Sequence, residues 1–108
     1  MVVRRFDVYL VNLDPVIGRE IAKARPAVIV SPDEMNLYLG TIIVAPMTTS
    51  IRGWKSRVKL RFKERNEEIA LDQIRTLDKS RLMQRLGRVS AVAGTAVLGV
   101  LQDMFAES

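Results

Sequence analysis

The sequence predicts a mainly β (α+β) domain: a small, strongly bent sheet or barrel of five or six short strands with one C-terminal helix packed on it. Three features point to it. Short apolar runs bounded by Pro, Gly or Asp recur through the first two-thirds of the chain. Residues 57–63 alternate strictly between charged and apolar. Residues 90–106 carry apolar side chains at helical spacing.

The first strand is expected over Phe6–Leu13, rich in β-formers, and Asp14-Pro15 ends it because Pro brings no ladder donor. Residues 16–25 read as a polar loop containing Gly18, and Ala27–Val30 as a strand buried on both faces. Ser31-Pro32-Asp33-Glu34 has the form of a capping box, with Ser31 accepting a free amide, Pro32 in the first helical position and Glu34 reaching back. It would start a short helical segment that runs to about Leu39 and stops at Gly40. Thr41–Met47 is a further apolar strand, and Thr48–Ser56 a loop holding the only Trp, Trp54. In the next strand Arg57, Lys59, Arg61 and Lys63 share one face and Val58, Leu60 and Phe62 the other. Residues 64–67 read as a polar turn, Glu68–Asp72 as the returning partner, and Arg75–Arg81 as an irregular or helical turn. Ser90 is the expected N-cap of the last helix, whose stripe is Ala93, Val97, Val100, Leu101 and Met104.

The 108 residues fit a single domain, 1–108, with no linker or repeat. There is no Cys and no His. That excludes disulfides, thiolate metal sites, cysteine nucleophiles and every imidazole acid–base device. Asp72 and Asp78 have no third oxygen donor at a recognisable spacing, so neither a metal nor another cofactor is expected. Chemistry would run on Arg, Lys, Tyr, Thr, Ser and carboxylates. No stretch is long and apolar enough to span a bilayer and no secretory signal is present, which makes a cytoplasmic protein the expectation and a membrane an unexpected partner.

The net charge of +5 is uneven. Residues 1–50 balance at five basic and five acidic groups, whereas residues 51–89 carry twelve basic and five acidic. Twelve of the seventeen cations are Arg, whose planar fork matches phosphate geometry. A polyanion surface, RNA or DNA, is the functional reading; a basic but merely solvated surface is the plain one.

Four groups of residues are candidates for chemistry. The cations of 57–63, spaced about 6.6 Å apart on one face, would meet successive phosphates, with Trp54 and Tyr38 as stacking platforms; the same charges would also guard an edge strand. Arg25, held extended by Pro26, would aim a fixed fork into a cleft, or pair with Glu20 or Asp14. Thr48, Thr49 and Ser50 follow a buried strand directly and would bond a phosphate or only local backbone. Residues 71–79, with Asp72, Gln73, Arg75 and Asp78, would form either a binding surface or a network of ion pairs.

In this order the motifs resemble the MazF/PemK toxins of bacterial toxin–antitoxin pairs: Asp7-Val8-Tyr9, Leu13-Asp14-Pro15, Gly18-x-Glu20, Lys23-x-Arg25-Pro26, Ser31–Asn36, Val44–Thr48, Asp72–Lys79 and Arg81-Leu82. The resemblance covers residues 5–88. It implies an SH3-like barrel of five to seven strands with a C-terminal helix (the CcdB/PemK toxin-like fold), assembled as a homodimer. It also implies metal-independent cleavage of single-stranded RNA at short motifs, by attack of the neighbouring 2′-hydroxyl. The products would be a 2′,3′-cyclic phosphate and a 5′-hydroxyl. The implied partner is a small acidic antitoxin, MazE/PemI-like, whose C-terminal tail blocks the site.

Carried over by position, Arg25 and Thr48 match the family's catalytic Arg and Thr. Glu20 and Asp72 match acidic positions and are candidates for the base or for substrate orientation. Lys23, Thr49, Ser50, Trp54, Arg57, Lys59, Gln73 and Arg75 are the expected substrate contacts. Two departures stand out. Phe6 occupies a position where the family usually has Gly. The His and second Arg of some PemK-type members are absent, Ala70 taking the latter's place, so the Arg–Thr chemistry fits better. Two other readings compete: a CcdB-like gyrase poison without catalysis, and a basic SH3-like nucleic-acid-binding module.

Overall fold

The computed structural model describes residues 2–108; Met1 lies outside the described residues. The strands are β1 (Asp7–Asn12), β2 (Ala24–Ile29), β3 (Thr41–Thr48), β4 (Arg57–Phe62), β5 (Arg65–Ala70), β6 (Arg75–Asp78) and β7 (Leu82–Arg88). Helix α1 covers Asp33–Tyr38 and α2 covers Ala91–Phe105, with 3-10 turns at Leu71–Gln73 and Lys79–Arg81. The strands form one antiparallel sheet in the order β4-β5-β3-β2-β1-β7, with β6 added on β3.

β3 creates the curl. On one side it pairs Val44–Pro46 with β2. On the other it pairs Thr41–Val44 with β6 and only Met47–Thr48 with β5. The change of neighbour falls at Ala45-Pro46, where Pro has no N–H to donate to a ladder. The sheet therefore closes to a half-barrel whose two faces carry separate cores. Tyr9, Val11, Ala27, Ile29, Ile42 and Val44 pack into one, and Val8, Val28, Ala45, Met47, Val58 and Ile69 into the other. Val97 of α2 joins the second core, with Ala93, Val100 and Leu101 packed against it and Met104 left more exposed. The Ser90 hydroxyl caps α2 by accepting the Ala93 amide at 3.1 Å, a contact worth about 1 kcal/mol.

The mainly β half-barrel with its C-terminal helix is the fold the motifs implied, with local corrections. The capping box does not form: Pro32 is the N-cap of α1 and no side chain caps it. Ser31 instead accepts the Ile43 amide at 3.0 Å and bonds Asn36, tying α1 to β3, while Asp33 accepts the Arg5 amide. β2 starts at Ala24, three residues earlier than expected, so Arg25 stands inside a strand rather than at its junction. The β4–β5 turn is shorter than the expected 64–67, because Lys63 and Glu64 both adopt left-handed φ (47° and 66°) and make a two-residue hairpin turn. The segment after Ala70 is a 3-10 turn rather than strand, and residues 75–81, read as irregular, include β6. β7 is an addition to the expected strands. Phe6 has left-handed φ (75°), and its ring takes the space where a Cβ on Gly94 would stand, at 2.8 Å. The departure at position 6 is thus matched by a glycine on α2.

Candidate active site

A groove runs beneath the long β1–β2 connection. One end, about 430 Å³, is lined by Leu13, Glu20, Pro46, Asp72 and Arg75 among others. The other, about 590 Å³, is lined by Thr48, Ser50, Arg52, Trp54 and Arg57. Arg19, Ile21 and Gln73 belong to both. Eight of the twelve expected residues thus meet in one place: Glu20, Thr48, Ser50, Trp54, Arg57, Asp72, Gln73 and Arg75.

Several of them are occupied in building the groove. Gln73 accepts the Ile21 amide through Oε1 at 2.7 Å, and Arg75 donates from Nη1 to the Leu13 carbonyl at 3.0 Å. Together they fasten the β1–β2 connection to the 3-10 turn and β6. Glu20 is exposed and its Oε1 accepts the Ile17 amide. The Thr48 oxygen accepts the Ser50 amide at 3.1 Å, leaving the Thr48 hydroxyl proton to donate elsewhere.

Arg57 is engaged on every side. Its Nε donates to Asp72 Oδ1 at 2.7 Å, Nη2 to Asp72 Oδ2 at 3.2 Å and Nη1 to Glu68 Oε1 at 3.3 Å. The guanidinium also stands 4.6 Å from the Trp54 ring centroid, a cation–π stack. With its side chain only 5% exposed, Arg57 organises the wall rather than offering a free charge. Asp72 also accepts the Ser56 hydroxyl at 2.8 Å. Burial pushes the Asp72 carboxyl up, but the Arg57 and Ser56 hydrogen bonds outweigh it and hold the group below the ordinary carboxylate range. A carboxylate stabilised in this way is a poor proton acceptor.

Glu68, which no sequence motif singles out, anchors the opposite wall. It is fully buried and accepts the amides of Arg52 (3.0 Å) and Gly53 (2.8 Å) besides Arg57. Those bonds overcome the burial that would raise it, so its carboxyl is also lowered. The available signal was the hairpin register, which sets Glu68 opposite Lys59 on the cationic face.

The other four expected residues do not line the groove. Lys23 is exposed, with left-handed φ (70°), its amide given to Asp14 Oδ1. Thr49 is exposed just beyond β3, and Lys59 is exposed on β4. Arg25 is half-buried and donates from Nε to the Ala22 carbonyl at 3.0 Å, with no ion pair to Glu20 or Asp14. The β2–β3 ladder pairs Ala27 with Pro46. The ladder stops there; continued two residues, its register would bring Arg25 across from Thr48. The Arg25 charge also reaches Glu67, a buried carboxyl that burial raises against the pull of Arg65 and Arg25. Glu67 lines a smaller hollow of about 310 Å³ with Ile51, Lys59, Leu60 and Asn66. Tyr38, 77% exposed on α1, lines neither end of the groove.

A family model of the PemK-like, MazF-like toxins of type II toxin–antitoxin systems matches residues 4–105. The chain belongs to this family. Among its toxin relatives, the endoribonuclease MazF of Staphylococcus saprophyticus is 43% identical over 81% of this chain and 78% of that one. The crystal structure of Deinococcus radiodurans MazF superposes with a TM-score of 0.85 at 26% identity, covering 96% of each chain. A MazE–MazF structure from the same organism gives a TM-score of 0.82 at 26% identity, over 100% of this chain and 99% of that one. The toxin fold thus accounts for the half-barrel and the C-terminal helix together.

Proposed function

We propose that this toxin-family chain is an endoribonuclease that cuts single-stranded RNA without a metal, the neighbouring 2′-hydroxyl attacking phosphorus and the 5′-oxygen leaving. The products are a 2′,3′-cyclic phosphate and a 5′-hydroxyl. What supports this reading is that β2 and β3 pair in a register that, carried on two residues, would bring Arg25 across from Thr48, which lines a groove whose walls also carry Arg19, Arg52, Arg57 and Arg75. A phosphorane bears more negative charge than the diester it forms from, so a fixed guanidinium favours the transition state over the ground state. A guanidinium suits charge stabilisation rather than base catalysis. Thr48 donates its free proton to a phosphate oxygen or orients the 2′-hydroxyl. Trp54, 54% exposed with Arg57 beside it, offers a surface for a base to stack on. Glu20 is an exposed carboxylate of the groove and the candidate for orienting the attacking hydroxyl, whereas Asp72 positions Arg57.

An acidic antitoxin segment suits the same groove, because it presents charge where RNA presents phosphate. A second copy of the chain would cover the exposed apolar end of α2, where Met104 and Phe105 are 38% and 72% exposed. Such an enzyme works in the cytoplasm, where its RNA is. Among the described residues no helix is long and apolar enough to cross a membrane.

The test is to map the ends formed from a long RNA in EDTA. Wild-type protein should yield cyclic-phosphate and 5′-hydroxyl ends at a short motif. Arg25→Ala should lower kcat/KM by two orders of magnitude or more, about 3 kcal/mol of barrier, with its unfolding transition unchanged. Dependence on Mg²⁺, or full activity without Arg25, would refute the mechanism.

A further inference from the structure

A second basic hollow, of about 330 Å³, opens at the far end of β1 and is lined by Val2, Arg4, Asp7, Arg85 and Arg88. Asp7 borders it and Leu13 borders the groove, so the β1 strand separates the two by roughly 20 Å at the rise of an extended chain.

The hollow owes its shape to an irregularity in β7. Arg85 and Arg88 are three residues apart and in a regular strand would face opposite sides. The β1–β7 register shifts between Val8 and Tyr9, pairing Val8 with Gly87 and Tyr9 with Arg85 and leaving Leu86 as an extra residue. This bulge brings Arg85 and Arg88 to the face that Asp7 shares with Tyr9. Both then donate to the same oxygen, Asp7 Oδ1, from Nη2 of Arg85 at 3.2 Å and Nη1 of Arg88 at 3.3 Å. The other oxygen of Asp7 accepts the Arg4 amide at 3.1 Å.

The charges do not cancel. The Asp7 side chain is 3% exposed with both its oxygens in use, while those of Arg85 and Arg88 are 52% and 49% exposed. Each guanidinium has five N–H donors, and one apiece goes to Asp7. Arg4 adds a third cation at the rim. Three guanidinium groups against one carboxylate leave two uncompensated positive charges around an open hollow. A buried carboxylate that orients two half-exposed arginines makes a preorganised anion receptor.

We propose that this hollow is a second RNA contact, binding a backbone phosphate of the substrate strand away from the scissile bond. The proposal rests on RNA being the substrate of the groove. It requires that longer RNAs gain affinity through Arg4, Arg85 and Arg88, and that RNAs too short to reach the hollow do not.

The test compares RNAs of about four and about sixteen nucleotides, lengths at the two ends of ordinary single-strand site sizes. Binding to the full chain is measured as a function of salt for wild type, Arg4→Ala and Arg88→Gln. The Arg4 side chain makes no bond to Asp7, and the amide introduced by Arg88→Gln can still donate one, so at least one variant keeps the fold. For the long RNA each substitution should weaken binding about five-fold at low salt and reduce the salt slope by about 0.7, the value for one phosphate contact on a single strand. Binding and cleavage of the short RNA should be unchanged. An unaltered slope for the long RNA, with cleavage intact, overturns the second contact and leaves the RNA reading standing. Loss of polyglutamate binding with an unaltered RNA slope reassigns the hollow to an acidic protein and also overturns it. If wild type neither binds nor cuts the long RNA, the RNA reading itself fails, and the second contact with it.

Discussion

Glu67 and Glu68 are consecutive residues of β5, both buried, and their carboxyls shift in opposite directions. Glu68 lies behind Arg57 and the 52–53 backbone, and receives two backbone amides and Arg57. Glu67, on the alternate side of the strand, borders the smaller hollow and feels only the charges of Arg65 and Arg25. Strand alternation alone separates the two environments. Burial by itself therefore does not decide what a carboxyl does here; the number of donors aimed at it does. Glu68 is a fixed anion that holds a wall together, and Glu67 is the group readier to take up a proton.

The largest effect should come from removing the fixed anion. Glu68→Ala takes away one of the two carboxylates that hold Arg57, leaving Asp72, and frees the amides of Arg52 and Gly53; losing these charge-assisted contacts together costs about 3 kcal/mol. Urea unfolding should show that loss, and Trp54 emission should shift as the 49–56 loop lets go. A loss under about 1 kcal/mol would mean that the loop is held by something other than Glu68. Next in size is Arg57→Lys. It keeps the charge but gives up the two-pronged contact with Asp72 and the planar stack on Trp54, for about 1–2 kcal/mol. Combining it with Glu68→Gln should give less than the sum of the two single losses, because both act through one network.

These two residues also mark where the sequence could be read and where it could not. Period-two alternation identified the cationic face of β4, yet it says which face a side chain takes and nothing of its partner. Arg57 therefore reads as a free phosphate contact, although Asp72, fifteen residues on, holds it. Glu67, with Arg65 and Asn66, looks like part of a polar turn until the left-handed pair Lys63-Glu64 shows that the turn is already complete. β6 and β7 escape the sequence for a related reason. They are held by ladders to β3 and β1 and bury few of their side chains, and the Leu86 bulge breaks the alternation that would have revealed β7. The buried strands and α2 were legible because burial leaves a hydrophobic pattern. The groove residues stand out only as short polar motifs of a kind that ordinary turns also carry, and it took the resemblance to the toxin family to join them in one site.

The smallest expected effect is the most specific to the contrast. Glu67 binds its proton more tightly in the folded chain than in the unfolded one, because burial penalises its charge by more than Arg65 and Arg25 recover. Its favourable contribution is complete below the unfolded carboxylate range and is lost as pH rises through the raised folded value. Glu68 and Asp72 behave in the reverse sense: their contributions are complete above the ordinary range and are lost as pH falls through their lowered values. Glu67→Gln removes the first behaviour and leaves the second. At pH 7 the variant should be more stable than wild type by about 1 kcal/mol, an ordinary single-substitution effect with its sign reversed. The advantage should shrink towards zero as pH falls into the carboxylate range, where wild-type Glu67 is itself neutral. Thermal unfolding between pH 4 and pH 8 measures the difference directly. A variant that is less stable than wild type at pH 7, or a difference that does not change with pH, would show that Glu67 is held as an ion by Arg25 and Arg65, and the contrast between the two neighbours would collapse.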